Sequence, residues 1–169
     1  MCGRLYALEL TAGLSQPGVV SNEARRKESF VEPHRLAELT KILVVEDHAE
    51  LRALIATRFR RAGFRVVEAA NGLEAVACLE DDARVGAIVL DLQMPVMTGW
   101  EVIAACRAHP TWRRIPIVVV TALRPPHLPL EMLHDIPVIT KPFMPEDLLE
   151  AVRRAMATRP LPFCGALEK

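Results

Sequence analysis

The feature that most constrains the fold is a short apolar run, residues 87–90 (Ala-Ile-Val-Leu), that stops abruptly at a carboxylate, Asp91. Apolar runs of this length with β-branched residues are typical of buried strands. The strand cannot continue far beyond this point, because Pro95 lacks an N–H donor and Gly99 loosens the backbone. We therefore expect Asp91 at the carboxyl end of a strand, which is the edge where open parallel sheets bind ligands.

From residue 41 onward, strand patterns alternate with helix patterns. Four more apolar runs are predicted as strands, at residues 42–45, 65–69, 116–120 and 137–140. Amphipathic or capped segments predict helices at residues 48–62, 71–82, 98–109 and 145–158. This alternation predicts an α/β fold that is doubly wound, with five parallel strands covered by helices on both faces.

Length and composition limit the number of domains and the classes of function that this chain can have. The 169 residues suggest one domain, at residues 41–158, with an N-terminal extension (1–40) that we expect to be mobile and a C-terminal tail (159–169). The formal net charge is zero, so nucleic-acid binding is not expected. No apolar run approaches the roughly 20 residues that a membrane helix needs. The four cysteines are scattered without a C-x-x-C pair, which suggests the reduced thiols of a cytoplasmic protein.

Polar side chains stand where four of the predicted strands end. Glu46 and Asp47 follow the first strand, Asp91 the third, Thr121 the fourth and Lys141 the fifth. Parallel strands bring these ends to one edge, where clustered carboxylates repel one another unless a cation joins them. Ligation by oxygen atoms alone suits Mg²⁺. A carboxylate nucleophile beside Mg²⁺, with lysine and threonine as donors, is typical of a phosphoryl-transfer site.

Each of these residues also has an ordinary structural interpretation. Asp47 could be the N-cap of the following helix, with Glu50 at position N3. Thr121 could be a simple strand-end hydroxyl, and Lys141 a solvated lysine. The coincidence of all four strand ends, rather than any one residue, favours a functional site.

Together these segments resemble the response-regulator receiver domains, the CheY-like family of two-component signalling. The resemblance covers about residues 41–158. It is carried by Glu46-Asp47, by Asp91-Leu-Gln-Met-Pro95 with Gly99, by Thr121-Ala122 and by Lys141-Pro142-Phe143. It implies a flavodoxin-like fold whose strand order is 2-1-3-4-5.

The resemblance also implies a chemistry. Asp91 would accept a phosphoryl group from the phosphohistidine of a sensor histidine kinase or a histidine phosphotransfer protein. Mg²⁺ would be held by Asp47, Asp91 and the backbone carbonyl of Gln93, with Glu46 acting mainly through water. Thr121 and Lys141 would bind the phosphoryl oxygens, and the small Ala122 would leave the donor room to approach.

The chain departs from the family pattern in two places. The position three residues before Lys141 usually carries a switch aromatic, and here it is Val138. The fourth helix of the family should lie between Thr121 and Pro137, but Pro125, Pro126 and Pro129 oppose a full helix there. We therefore expect a degenerate fourth helix: an irregular loop from about residue 123, then at most a turn or two near residues 129–134.

We expect a stand-alone receiver that is phosphorylated and dephosphorylated rather than a turnover enzyme. It would act by relaying phosphate or by binding a downstream protein that the sequence does not identify, and a homodimer stays possible. One alternative is a receiver-shaped interaction module that is never phosphorylated. Another is an aspartyl-phosphate phosphatase resembling the haloacid-dehalogenase family, which needs a second aspartate where this chain has Gln93. A flavin-binding flavodoxin is disfavoured, because Glu46 and Asp47 would repel the flavin phosphate.

Overall fold

The computed structural model describes residues 40–81, 84–124, 127–129 and 133–158. The predicted N-terminal extension, apart from Thr40, and the predicted C-terminal tail lie outside these residues, so both stay predictions. Within the described residues, no helix is both long enough and apolar enough to cross a membrane.

The core of the protein is one five-stranded parallel sheet in the order β2-β1-β3-β4-β5. The strands are β1 (Lys41–Val45), β2 (Arg65–Ala69), β3 (Val85–Asp91), β4 (Ile117–Thr121) and β5 (Val138–Thr140). β3 is central and buried at every position, which explains why its sequence is a continuous apolar run rather than an alternating one. The predicted strand order is confirmed.

In the described part of the chain, four α-helices connect or follow the strands. They are α1 (Ala49–Arg61), α2 (Gly72–Asp81), α3 (Gly99–Ala108) and α4 (Pro145–Thr158), and a short 3₁₀ helix (Trp112–Arg114), which the sequence did not indicate, precedes β4. The predicted helices are confirmed with their ends shifted by no more than a residue or so, as is usual for helix termini.

The N-terminal cap of α3 is the one that the sequence indicates, whereas the N-terminal cap of α1 is a different residue from the one considered above. Thr98 and Glu101 form the predicted capping box of α3, with the Thr98 side chain accepting from the Glu101 N–H and the Glu101 side chain accepting from the Thr98 N–H. The cap of α1 is His48, whose Nδ1 accepts a hydrogen bond from the Leu51 N–H at 3.4 Å. The alternative interpretation of Asp47 as the N-cap is therefore wrong.

The strands face two hydrophobic clusters, one on each side of the sheet. Leu43, Ile88 and Val119 belong to the cluster that α2 and α3 complete. Ile42, Val89 and Val118 belong to the cluster that α1 and α4 complete. Because successive strand residues point to opposite faces, both faces must be apolar, and helices cover both. The predicted doubly wound architecture is confirmed.

The segment between β4 and β5 contains no helix within its described residues, which are 122–124, 127–129 and 133–137. The His127 N–H donates to the carbonyl of Arg124 at 2.9 Å, and the Ile136 N–H donates to the carbonyl of Leu133 at 2.9 Å. Leu128 and Leu133 are only 5 % and 3 % exposed and join the cluster on the α2–α3 face. Two leucines thus cover part of the sheet surface, as expected for a degenerate fourth helix. Residues 130–132, in the middle of the predicted turn or two near residues 129–134, lie outside the described residues, so that detail stays a prediction.

Gly99 lies against the backbone of the residues that end β3. A Cβ atom at this position would lie 2.2 Å from the carbonyl oxygen of Asp91 and 2.8 Å from the Cα of Leu92. The Gly99 N–H also donates to the carbonyl of Leu92 at 3.1 Å. Glycine is required here because the start of α3 approaches the strand end closely, which is a stricter reason than the loosening that the sequence suggested.

We expect Gly99→Ala to lower the free energy of unfolding by about 3 kcal/mol, because the new methyl group meets backbone that cannot move aside. Urea unfolding followed by circular dichroism would measure the change. Ala104→Ser, at an exposed position of the same helix, is the control and should stay within about 0.5 kcal/mol of wild type. If Gly99→Ala also changed the free energy of unfolding by no more than about 0.5 kcal/mol, the close approach of α3 to the end of β3 would be contradicted.

Candidate functional site

The carboxyl edge of the sheet brings three acidic side chains together. Glu46 follows β1, and its backbone N–H still donates to the carbonyl of Ala69 at the end of β2, at 3.1 Å. Asp47 comes next in the chain, and Asp91 is the last residue of β3. Carboxylate oxygens of Glu46, Asp47 and Asp91 lie within 4.8 Å of one another. We call these three residues the acidic group.

Lys141 follows β5 and contacts two members of the acidic group. Its Nζ donates to Glu46 Oε2 at 2.7 Å, to Glu46 Oε1 at 3.0 Å and to Asp91 Oδ2 at 2.6 Å. The side chains of Glu46 and Asp91 are only 3 % and 6 % exposed, whereas that of Lys141 is 20 % exposed. One ammonium group therefore compensates two buried carboxylates, which predicts that Lys141 is held in place rather than solvated.

The protonation of Glu46 and Lys141 follows from this arrangement. Burial raises the pKa of the Glu46 carboxyl; the hydrogen bond from Lys141 opposes this rise and the charge of Asp91 adds to it. Burial alone would lower the pKa of the Lys141 ammonium. Its hydrogen bonds and its attraction to Asp91 and Glu46 outweigh burial and raise that pKa above the ordinary value. Lys141 is therefore charged throughout the physiological pH range.

The loop after β3 holds the carboxylate of Asp91 from the other side. Asp91 Oδ1 accepts a hydrogen bond from the Gln93 N–H at 3.2 Å. Three residues of the loop that follows Asp91 are exposed: Gln93, Pro95 and Val96. Val96 has a φ of 69°, a left-handed conformation that costs a β-branched residue about 1–3 kcal/mol. The backbone carbonyl of Gln93 as a metal ligand stays a prediction.

Thr121 ends β4 and is completely buried. Its Oγ1 accepts a hydrogen bond from the Leu123 N–H at 3.1 Å. Because Thr121 accepts in this contact, its hydroxyl proton can still be donated to another group. The neighbouring Ala122 is exposed, as expected for a residue that a phosphoryl-donating protein would have to approach. Thr121 thus links the edge of the sheet to the start of the β4–β5 segment.

Sequence reasoning missed one residue at this edge, Arg52. Its guanidinium Nη1 donates to the backbone carbonyls of Glu46, at 2.6 Å, and of Asp47, at 3.3 Å. Its Nε lies 3.7 Å from Oε2 of Glu68 on β2. This role leaves little signal in the sequence, because α1 carries several arginines and only their positions in the fold distinguish them.

The chemistry of the donor set fits a hard divalent cation. All three members of the acidic group offer carboxylate oxygens, and Mg²⁺ and Ca²⁺ prefer oxygen ligands. Histidine and cysteine, which favour transition metals, are not members of the group. The carboxylate of Asp91, a group that can act as a nucleophile, also lies beside an ammonium group, so the same edge could support transfer of an anionic group.

Comparison with known proteins identifies the family. The family described as "Response regulator receiver domain" matches residues 42–153. The chain is 31% identical over 124 residues to the chemotaxis protein CheY1 of Helicobacter pylori strain J99, covering 70% of this chain and 98% of that protein. It is 34% identical over 119 residues to a probable transcriptional regulator, ycf27, of Porphyridium aerugineum. That match covers 69% of this chain but only 48% of ycf27, so the chain spans about half the length of this relative.

Solved structures show the same relationship. The chemotaxis protein CheY4 of Vibrio cholerae superposes with a TM-score of 0.64 at 32% identity, covering 69% of this chain and 98% of that one. The receiver domain of a sensor histidine kinase from Pseudomonas aeruginosa PAO1 has a TM-score of 0.62 at 30% identity, covering 70% of this chain and 98% of that one. That domain was solved with a magnesium ion coordinated in its active site cleft. The chain described here belongs to the family of response regulator receiver domains.

Proposed function

We propose that this receiver domain takes a phosphoryl group onto Asp91 from a phosphohistidine and changes its partner binding as a result. The donor would be a sensor histidine kinase or a histidine phosphotransfer protein. The observation that carries the proposal is the position of Asp91: it ends the central strand, its carboxylate accepts a hydrogen bond from the ammonium of Lys141, and it lies within 4.8 Å of carboxylate oxygens of Glu46 and Asp47.

The transfer would be a displacement at phosphorus. A carboxylate oxygen of Asp91 forms the new O–P bond while the P–N bond to the donor imidazole breaks, and the electron pair of that bond returns to the imidazole nitrogen. The ammonium of Lys141 and the hydroxyl of Thr121 would donate to the phosphoryl oxygens, whose charge must be stabilised during transfer. The exposed, small Ala122 leaves the edge open to the donor.

We propose Mg²⁺ as the cation of this site. Asp47, Asp91 and the backbone carbonyl of Gln93 would hold it, with Glu46 acting mainly through water. When bound, Mg²⁺ neutralises charge on the phosphoryl oxygens and on the carboxylates that surround them. The support is the all-oxygen acidic group and the magnesium ion in the similar P. aeruginosa receiver domain.

The protein would be a signalling switch rather than a turnover enzyme, because the group that reacts is its own carboxylate. The phosphoryl group would leave by hydrolysis or by relay to another histidine. The output would pass from Thr121 to the β4–β5 segment, since Val138 offers no aromatic ring to move. Ordering or shifting of this segment would change the surface that a downstream protein reads.

Asp91→Asn should abolish phosphorylation and leave the fold intact, because the amide is nearly isosteric with the carboxylate but is not a nucleophile. Intact-mass measurement after incubation with acetyl phosphate and Mg²⁺ would show one added phosphoryl group in wild type and none in the variant. Asp81→Asn, at the exposed end of α2, is the control and should be phosphorylated normally. Wild type that stays unmodified would favour an interaction module that is never phosphorylated.

Mg²⁺ should raise the melting temperature, because it binds the native acidic group and not the unfolded chain. At a tenfold excess over its Kd the gain is about 1.4 kcal/mol. Asp47→Asn should weaken Mg²⁺ binding and, by removing repulsion, stabilise the metal-free protein. Glu50→Gln, an exposed acidic residue outside the acidic group, is the control. A melting temperature that does not respond to millimolar Mg²⁺ would contradict the cation site.

Phosphorylation should change hydrogen exchange mainly in residues 121–137. Beryllofluoride, which stands in for the phosphoryl group on Asp91, should slow exchange in this segment, because Thr121 links the site to it through the Leu123 N–H. Thr121→Ala should still bind beryllofluoride but lose most of this protection. Changes confined to other faces of the domain would contradict an output through the β4–β5 segment.

A further inference from the structure

We propose that Arg52 is a positioning residue for the acidic group. It fixes the turn between β1 and α1, and so sets where the carboxylates of Glu46 and Asp47 lie. This inference deepens the proposed function and rests on its cation site. Arg52 would not touch the cation or the phosphoryl group; it acts through the backbone that carries two of the ligands.

The geometry of the contact gives the first argument. The carbonyl of Glu46 belongs to the peptide unit that precedes Asp47, and the carbonyl of Asp47 to the unit that follows it. Nη1 of Arg52 donates to both, at 2.6 Å and 3.3 Å. One guanidinium nitrogen thus holds both peptide planes that flank the Asp47 Cα. Since those planes determine the direction of the Cα–Cβ bond, they also direct the Asp47 carboxylate.

The surroundings of Arg52 give the second argument. Its side chain is 19 % exposed, and its Nε lies 3.7 Å from Oε2 of Glu68, a residue of the neighbouring strand β2. Its backbone N–H donates to the carbonyl of His48 at 2.9 Å, which ties it to the first turn of α1. The backbone of Arg52 thus belongs to the first turn of α1, and its guanidinium lies between β2 and the turn that joins β1 to α1. The side chain therefore ties this turn to the two elements beside it.

A positioning role and a simple charge effect predict opposite results. Arg52 is a cation close to a site that would bind another cation. If only its charge mattered, removing it would relieve repulsion and strengthen Mg²⁺ binding. If it positions the ligands, removing it loosens the turn and weakens binding, as the loss of outer contacts to metal ligands does elsewhere. The sign of the change in affinity distinguishes the two roles.

The test compares Arg52→Met with Arg60→Met. Arg60 pairs with the same Glu68, at 2.7 Å, but is not among the donors to the turn carbonyls, so it is a matched control. Titration calorimetry with MgCl₂ at constant ionic strength should show the Kd of Arg52→Met about tenfold higher than that of wild type. Arg60→Met should stay within about twofold of wild type. Amide exchange in residues 46–48 of the metal-free protein should quicken in Arg52→Met only.

A conservative pair keeps the test decisive if Arg52→Met does not fold. Arg52→Lys retains the charge, but a single ammonium cannot span two carbonyls and Glu68 as the planar guanidinium does, so an intermediate loss of affinity is expected. Arg60→Lys is its control. Wild-type protein that binds no Mg²⁺ would overturn the proposed function and this inference with it. Wild-type binding, with equal or tighter binding by Arg52→Met, would overturn the inference alone.

Discussion

The contact of one ammonium with two buried carboxylates is the interaction on which this site depends. Burying a carboxylate costs several kcal/mol, and burying two beside each other adds their mutual repulsion. For Glu46 and Asp91 the hydrogen bonds from the Lys141 ammonium, at distances of 2.6 to 3.0 Å, offset this desolvation and repulsion. Without Lys141 the pair would be stable only with another cation or with a proton on one carboxylate. Positive charge at this edge, from Lys141 or from another cation, is therefore what allows both carboxylates to be buried in their ionised form.

The strand order explains how these residues meet. Lys141 and Glu46 are 95 positions apart in the chain, yet their side chains form hydrogen bonds. β3 lies between β1 and β4, so Asp91 has the acidic pair on one side and Thr121 on the other. β5 is not adjacent to β3, and Lys141 must reach across the end of β4. Only a long side chain can do this, and the buried, compact Thr121 leaves it room.

The sequence predicted the strands, the helices and the strand ends, because hydrophobic periodicity and capping residues record them directly. It also predicted the convergence of Asp91, Thr121 and Lys141 at one edge, since parallel strands leave no other arrangement. It did not predict His48 as the cap of α1, the 3₁₀ helix before β4 or the contacts of Arg52. These depend on where a side chain meets a backbone carbonyl or ring nitrogen, and such contacts leave no periodic pattern. The close approach of α3 to Asp91 was not predicted either, because a glycine such as Gly99 is also common in loops where no close approach requires it.

The hydrogen bond between Thr121 and Leu123 shows why a receiver without a switch aromatic could still transmit a signal. If Oγ1 of Thr121 had to move in order to donate its proton to a phosphoryl oxygen, the bond that it accepts from the Leu123 N–H would lengthen or break, which costs about 1 kcal/mol. A hydrogen bond to a charged phosphoryl group is worth about 1.5–3 kcal/mol, so the exchange is favourable. The segment that starts at Leu123 has no helix in its described part to resist the change, and Leu128 and Leu133 anchor that part in the core. In the proposed output, a small movement of this hydroxyl would shift the start of the segment while Leu128 and Leu133 stay in the core.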